Sequence, residues 1–283
     1  MENFFPLMIS FVEEAGTLAL KFIAHSSPSL KPDSSVITRA DKAISTLAHK
    51  KLAGLVKTGE HLLIDEEDPQ RGEYLNQDTL RRTPFLWSID PIDATRAYAN
   101  RMPHYGISIG LIKNLKPCLG AVYFPSLKEL FYCDGQDAYF VQEAFTLHEK
   151  KTLIAPVDET ISSRSVFIVT DNIIDDFEWR SEDCRIMILS AAVCEFCWPS
   201  IGRGCGSLSR VHLWDMAGSW PIFEKAGLKM RSFETGKPLE KIDASLFETG
   251  HMPWRLKGYY ILSSEKNYPV LHDKLREKIH AKS

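Results

Sequence analysis

An apolar run, Phe85-Leu86-Trp87-Ser88-Ile89, leads straight into two aspartates three apart with a proline between them, Asp90-Pro91-Ile92-Asp93-Ala94-Thr95. The run predicts a buried strand that stops at Asp90-Pro91. Pro91 restricts the backbone and predicts a sharp turn there. Both carboxylates then face one point at the strand end, where they repel unless a cation neutralises them. Oxygen-only ligands at this density suit a hard cation such as Mg²⁺ rather than zinc. An Asp-Pro turn with a solvent-exposed second aspartate explains the segment equally well when it is taken alone.

Other acids sit in comparable places. Leu62-Leu63-Ile64 reads as a short strand running into Asp65-Glu66-Glu67, although an exposed acidic loop over residues 65–68 is the simpler reading of that piece alone. Asp215 follows Trp214 and opens a helix rich in small residues, where an N-cap is the commoner use of aspartate. Thr38 and Asp41 have capping-box spacing. Together these are acids at strand ends and helix starts, the positions that metal-assisted phosphate chemistry needs.

The rest of the pattern is α+β. Leu7, Phe11, Ala15, Leu18 and Phe22 predict an amphipathic helix within 4–24, and Ile44, Leu47, Ala48, Leu52 and Leu55 a second. Residues 26–33 read as a loop. Strands follow at 105–113, 119–124, 129–133 and 138–141 as a β-meander. The second half is mixed. Strands are expected at 166–169, 186–189 and 259–262, and helices at 190–201 and 271–279. A further helix is expected from Trp214 to Ala226, with Pro221 in its first turn or kinking it. No repeat or linker divides the 283 residues, so one unit is expected: 1–150 carries most of the acids and 151–283 supplies Asp215.

Composition closes off other classes. A formal net charge of -3 gives no basic field for a nucleic-acid polymer. No basic leader and no membrane-spanning stretch is read, so the expected compartment is the cytoplasm. The six cysteines are then reduced thiols, and Cys194-x-x-Cys197, with no second ligand pair nearby, reads as core rather than zinc site.

Taken in order, Lys31-Pro32-Asp33-Ser34-Ser35-Val36-Ile37-Thr38-Arg39-Ala40-Asp41, Glu66-Glu67, Asp90-Pro91-Ile92-Asp93-Ala94-Thr95, Gly120-Ala121-Val122-Tyr123 and Trp214-Asp215-Met216-Ala217-Gly218 resemble the inositol monophosphatase superfamily of Mg²⁺-dependent, lithium-sensitive phosphatases. The resemblance runs from about Lys31 to Gly227. It implies a layered αβαβα sandwich, a homodimer, and hydrolysis of a small phosphorylated substrate with two or three Mg²⁺ per subunit. Carried over, Glu66, Asp90 and the carbonyl of Ile92 bind one metal, and Asp90, Asp93 and Asp215 a second. Glu66 and Thr95 orient the attacking water, and the amides of Ala94 and Thr95 face the phosphate. Asp41 and Glu67 are candidates for a third metal or for the loop around Lys31. Asp93, Ser190, Arg210 and His212 are candidates for phosphate or substrate contact.

The chain departs from the family pattern at three places. Ala94 replaces the usual glycine, at roughly 1–2 kcal/mol if positive φ is needed. Asp65 replaces the glycine before the glutamate pair, as a spare or an exposed acid. Leu208 falls where inositol-directed members carry a ring-contacting glutamate, if the stretch from Ser190 to Asp215 aligns without gaps. The strings Glu66-Glu67-Asp68-Pro69 and Val122-Tyr123-Phe124-Pro125 resemble the adenosine bisphosphate nucleotidase branch, and His212-Leu213-Trp214-Asp215 the inositol branch. A bisphosphate nucleotidase is therefore the alternative activity. A non-catalytic relative that binds a phosphorylated ligand is the rival from another class.

Overall fold

The computed structural model describes residues 4–24, 28–30, 36–171, 173–180 and 182–278. The stretch from Lys31 to Ser35, and with it the expected loop around Lys31, lies outside them.

Two long helices come first. Phe5–Ile23 has Pro6 in its first turn, where a missing N–H costs nothing, and buries Met8, Phe11, Val12, Ala15, Gly16 and Ala19 at helical spacing. Arg39–Val56 begins at a capping box. Thr38 Oγ1 accepts from a helix amide, and Asp41 Oδ2 accepts from the amide of Thr38 at 2.8 Å. Both helices pack on one face of a seven-stranded sheet, in a core shared with Trp87, Ile89, Ile107, Ile109 and Tyr123.

The strands of that sheet lie side by side in chain order: His61–Asp65, Phe85–Asp93, Gly106–Lys113, Lys116–Phe124, Glu129–Cys133, Ala138–Gln142 and Lys150–Leu153. The first pair is parallel and the others antiparallel. The parallel pair decides where the acids go. Asp65 lies opposite Ile89, so both strands end on the same side, and the Glu66 amide donates to the Ile89 carbonyl at 3.2 Å. The expected stop at Asp90-Pro91 is not found. The strand continues to Asp93, with a register shift against its neighbour between Asp90 and Asp93. A shifted register needs no ladder bond at that position, so Pro91 is tolerated inside the strand.

The other face of the sheet carries short helices, Ala192–Cys197, Leu213–Ala217 and Trp220–Lys225, over a core containing Phe124, Phe131, Phe196 and Trp220. The helix expected from Trp214 to Ala226 is thus two helices, with Pro221 in the first turn of the second. They sit directly on backbone. A Cβ at Gly110 would lie 2.3 Å from the Ala217 carbonyl oxygen, and one at Gly120 would lie 2.0 Å from that of Gly218.

Beyond these helices lies a five-stranded mixed sheet, ordered Cys184–Ile188, Ser165–Val169, Gly206–Ser209, Tyr260–Ser263, Lys229–Ser232. Its outer face buries Phe167, Val169, Leu208 and Ile261 against Ile173, Leu271 and Leu275. The five layers are those expected. One detail is corrected. The helix read at 271–279 is instead Tyr268–Asp273, followed by a strand, Leu275–Glu277, paired with Phe177–Trp179. Leu271 and Leu275 are both buried four residues apart, which mimics a helical period although a strand supplies the second; Ile279 lies outside the described residues. Among the described residues no helix is long and apolar enough to cross a membrane.

Candidate active site

The two acid-tipped strand ends and the start of helix Leu213–Ala217 meet at a cavity of about 350 Å³ lined by Glu66, Asp90, Ile92, Asp93, Ala94, Thr95, His212, Trp214 and Asp215, with Arg71, Arg96 and residues 251–253 at the same cavity. Asp90, Asp93 and Asp215 each offer a carboxylate oxygen within 4.8 Å of the others. Two of these acids are anchored by one oxygen. Asp93 Oδ2 accepts from the amide of Val193 at 2.9 Å, and Asp215 Oδ2 from the amide of His212 at 2.8 Å. Thr95 Oγ1 donates to the carbonyl of Ile92 at 3.0 Å, which leaves the hydroxyl lone pairs for another donor.

Electrostatics follow from this crowding. Burial pushes the Asp90 carboxyl well above the usual carboxylate range, and the charges of Glu66, Asp93 and Asp215 push further in the same direction. Burial and then Asp215 do the same to Asp93, opposed by the Val193 amide. Asp90 Oδ1 is buried without a hydrogen-bond partner among the described residues. An orphaned carboxylate oxygen among like charges, in an all-oxygen donor set, fits a hard divalent cation.

Comparison with known proteins agrees with this geometry. The sequence model of the inositol monophosphatase family matches residues 10–280. The chain belongs to that family. Within this family of phosphoric monoester hydrolases, the chain is 30% identical over 151 residues to the fructose-1,6-bisphosphatase/inositol-1-monophosphatase of Thermotoga maritima, a match covering 52% of this chain and 57% of that protein. It is 36% identical over 212 residues to the 3'(2'),5'-bisphosphate nucleotidase CysQ of Salmonella typhimurium, covering 74% and 81%. Among solved structures, the Thermotoga maritima inositol monophosphatase superposes with a TM-score of 0.70 at 20% identity, covering 94% of this chain and 93% of that one. An inositol monophosphatase/NADP phosphatase solved with Mg²⁺ and phosphate superposes with a TM-score of 0.72 at 17% identity, covering 98% and 97%.

The other candidate residues divide. Asp41 is fully buried; its Oδ2 is spent on the cap and its Oδ1 has no partner among the described residues. Burial raises its pKa to about 6, against the Thr38 hydrogen bond, and Glu66 adds to the rise. Asp41, Glu67 and Ser190 are not among the residues that line the cavity. Arg210 is committed elsewhere: it pairs with Glu248 and donates to the Leu256 carbonyl. Leu208 is fully buried in the outer core of the five-stranded sheet, so it does not stand at a ring-contacting position. Asp65 is neither spare nor exposed. It is fully buried, accepts from Ser45 Oγ at 2.6 Å and from the Glu67 amide at 2.9 Å, and lies 3.3 Å from His49 Nε2. It therefore clamps the turn that carries Glu66 to helix Arg39–Val56.

Sequence reasoning missed three features. Arg71 and the segment 251–253 reach the cavity through loop geometry that no periodicity announces. Glu195 is buried behind it, hydrogen-bonded to Ser209 Oγ. Burial raises its pKa to about 7, opposed by Ser209 and reinforced by Asp215 and Asp171. A lone glutamate in the apolar run Val193-Cys194-Glu195-Phe196-Cys197 was the available signal.

Proposed function

We propose that this chain hydrolyses a small-molecule phosphomonoester with a water activated by divalent cations, Mg²⁺ by the chemistry of the donor set. The observation that carries the reading is the convergence of Glu66, Asp90, Asp93 and Asp215 on one cavity, with Asp90 Oδ1 orphaned. Glu66, Asp90 and the Ile92 carbonyl would hold one ion, and Asp90, Asp93 and Asp215 a second; the unpartnered oxygen of Asp41 would be the donor for a third. When bound, the ions supply Lewis acidity, acidifying a water and neutralising phosphoryl charge. The chain's own part is positioning. Thr95, its hydroxyl hydrogen turned to Ile92, accepts from the attacking water while Glu66 takes up its proton. Ala94 and Thr95 line the cavity, and their amides would serve as donors for phosphate oxygens.

A bisphosphate nucleotidase is the second reading, favoured by the 36% identity to CysQ over 74% of this chain. A homodimer is proposed as well, supported by the edge strand Cys184–Ile188, which exposes Ile186, Met187 and Ile188. A cytoplasmic location goes with the six free thiols. The deciding experiment measures phosphate release from inositol monophosphate and adenosine bisphosphate against Mg²⁺, chelator and Li⁺. Activity that needs Mg²⁺ and falls with millimolar Li⁺ is expected; full activity in chelator overturns the reading.

A further inference from the structure

The cavity contains a guanidinium that the hydrolysis reading does not use. Arg71 opens a short turn, Arg71–Tyr74, a few residues beyond Glu66. Its guanidinium carbon lies 5.2 Å from the centroid of the Trp214 ring, against which His212 also stacks at 4.5 Å and 8°. Nη1 donates to the Asp68 carbonyl at 2.9 Å. The backbone is held from the other side: Trp254 Nε1 donates to the Arg71 carbonyl at 2.7 Å, and a Cβ at Gly72 would lie 3.3 Å from Pro253 Cγ. The turn is thus docked on segment 251–253, and both line the cavity. An arginine stacked on an aromatic ring and tethered at one nitrogen keeps its fork in place without a carboxylate.

The other nearby guanidiniums have acidic partners. Arg96 lies 3.9 Å from Asp171, and Arg210 and Arg255 share Glu248. Arg71 forms no ion pair among the described residues, and its Nη2 donates to no protein acceptor among them. On the reading above, divalent cations held by the cavity's carboxylates would balance their charge without it. A fixed positive charge left over at the wall of a phosphate site is matched by negative charge on the substrate beyond the reacting group.

We propose that Arg71 is a specificity residue that receives a second phosphate borne by the leaving group, so that the preferred substrate is a small bisphosphate rather than a polyol monophosphate. The proposal rests on the phosphatase reading above. It places the discrimination in the docked pair of loops, the turn at Arg71 and segment 251–253.

The test compares ligands that differ by one phosphate on two scaffolds: adenosine 3',5'-bisphosphate against adenosine 3'-monophosphate, and fructose 1,6-bisphosphate against fructose 1-monophosphate. Binding is measured by calorimetry on the full chain with Ca²⁺ in place of Mg²⁺, for wild type, Arg71→Met and Arg71→Lys. The kcat/KM values are then measured with Mg²⁺. The methionine keeps an aliphatic contact with Trp214 and removes the charge. Wild type is expected to prefer the bisphosphate of at least one pair, and Arg71→Met to reduce that preference by about tenfold or more in Kd and in kcat/KM, with Arg71→Lys between them. An unchanged preference overturns the proposal. So does an equal loss for both members of a pair, which assigns Arg71 to the reacting phosphoryl group or to the fold, and so does a wild type that binds neither bisphosphate. A wild type that shows the binding preference and releases no phosphate with Mg²⁺ overturns the hydrolysis reading and leaves the assignment of Arg71 standing.

Discussion

The backbone amide of Val193 donates to Oδ2 of Asp93 at 2.9 Å, joining positions 100 residues apart. The bond carries the start of helix Ala192–Cys197 onto the acidic end of strand Phe85–Asp93, and it fixes one oxygen of Asp93. His212 treats Asp215 in the same way. Each carboxylate is oriented before any cation arrives, so binding does not have to order it.

Asp90→Asn should reduce phosphate release by at least about a thousandfold, because one residue is proposed to serve both cations. The fold should survive. In metal-free protein burial, Glu66, Asp93 and Asp215 all oppose the charged form of Asp90, and a neutral amide there escapes that cost, so the thermal midpoint should hold or rise. Phosphate assay and metal-free melt check the two halves, and near-wild-type turnover sinks the assignment.

Ala94 has φ 62 and ψ 49, the left-handed region that favours glycine. Ala94→Gly should therefore stabilise the chain. Relief of roughly 1–2 kcal/mol of strain outweighs the extra entropy glycine gives the unfolded chain, for a net gain of about 0.5–1 kcal/mol. The urea midpoint reads it directly; a lower midpoint shows that the alanine is not strained there.

How far this was legible in the sequence depends on whether the information was local. The clustering of Glu66, Asp90, Asp93 and Asp215 was legible because each acid ends a strand or opens a helix. The fold then needs only one parallel strand pair and one crossover to bring them together. Asp65 and Leu208 were not. Whether Asp65 is exposed depends on Ser45 and His49, supplied by a helix twenty residues earlier. Leu208 was placed by ungapped counting back from Asp215, and counting cannot tell which face of strand Gly206–Ser209 meets the outer core. Arg71 was illegible for a third reason: its position is set by a tryptophan 143 residues away.

Thr95→Ala should lower kcat by about a hundredfold while Mg²⁺ affinity changes only a few-fold, because the hydroxyl is proposed to align a water rather than bind an ion. Its bond to the Ile92 carbonyl is lost as well, but the carbonyl keeps its place in the strand. Steady-state kinetics across a Mg²⁺ titration separates the effects. Unchanged kcat with a weakened Mg²⁺ response contradicts this role.

Glu195 gives a pH signature. Its folded pKa, about 7, stands above the ordinary value of 4.5, so the native state holds a proton that the unfolded chain releases. Its carboxyl therefore costs no stability below about pH 4.5, and the cost grows as pH rises through 7. Glu195→Gln is neutral throughout. Metal-free, it should match wild type near pH 4.5 and exceed it at pH 8 by up to about 3 kcal/mol. Denaturation at the two pH values checks this; a variant less stable at pH 8 shows that the charged form is compensated in the native protein.

Gly110 and Gly120 touch no substrate, yet they govern the chemistry by clearance. Their missing side chains let the carbonyls of Ala217 and Gly218 rest on the strands beneath, and Asp215 hangs from the same short helix as Ala217. A methyl group at either glycine would lift that helix as a wedge lifts a hinged plate. The far edge of the plate is the ligand that must come within 4.8 Å of Asp90 and Asp93. The gauge of the metal site is thus cut into the floor of the protein, some way from the residues that a search for catalytic groups would pick out.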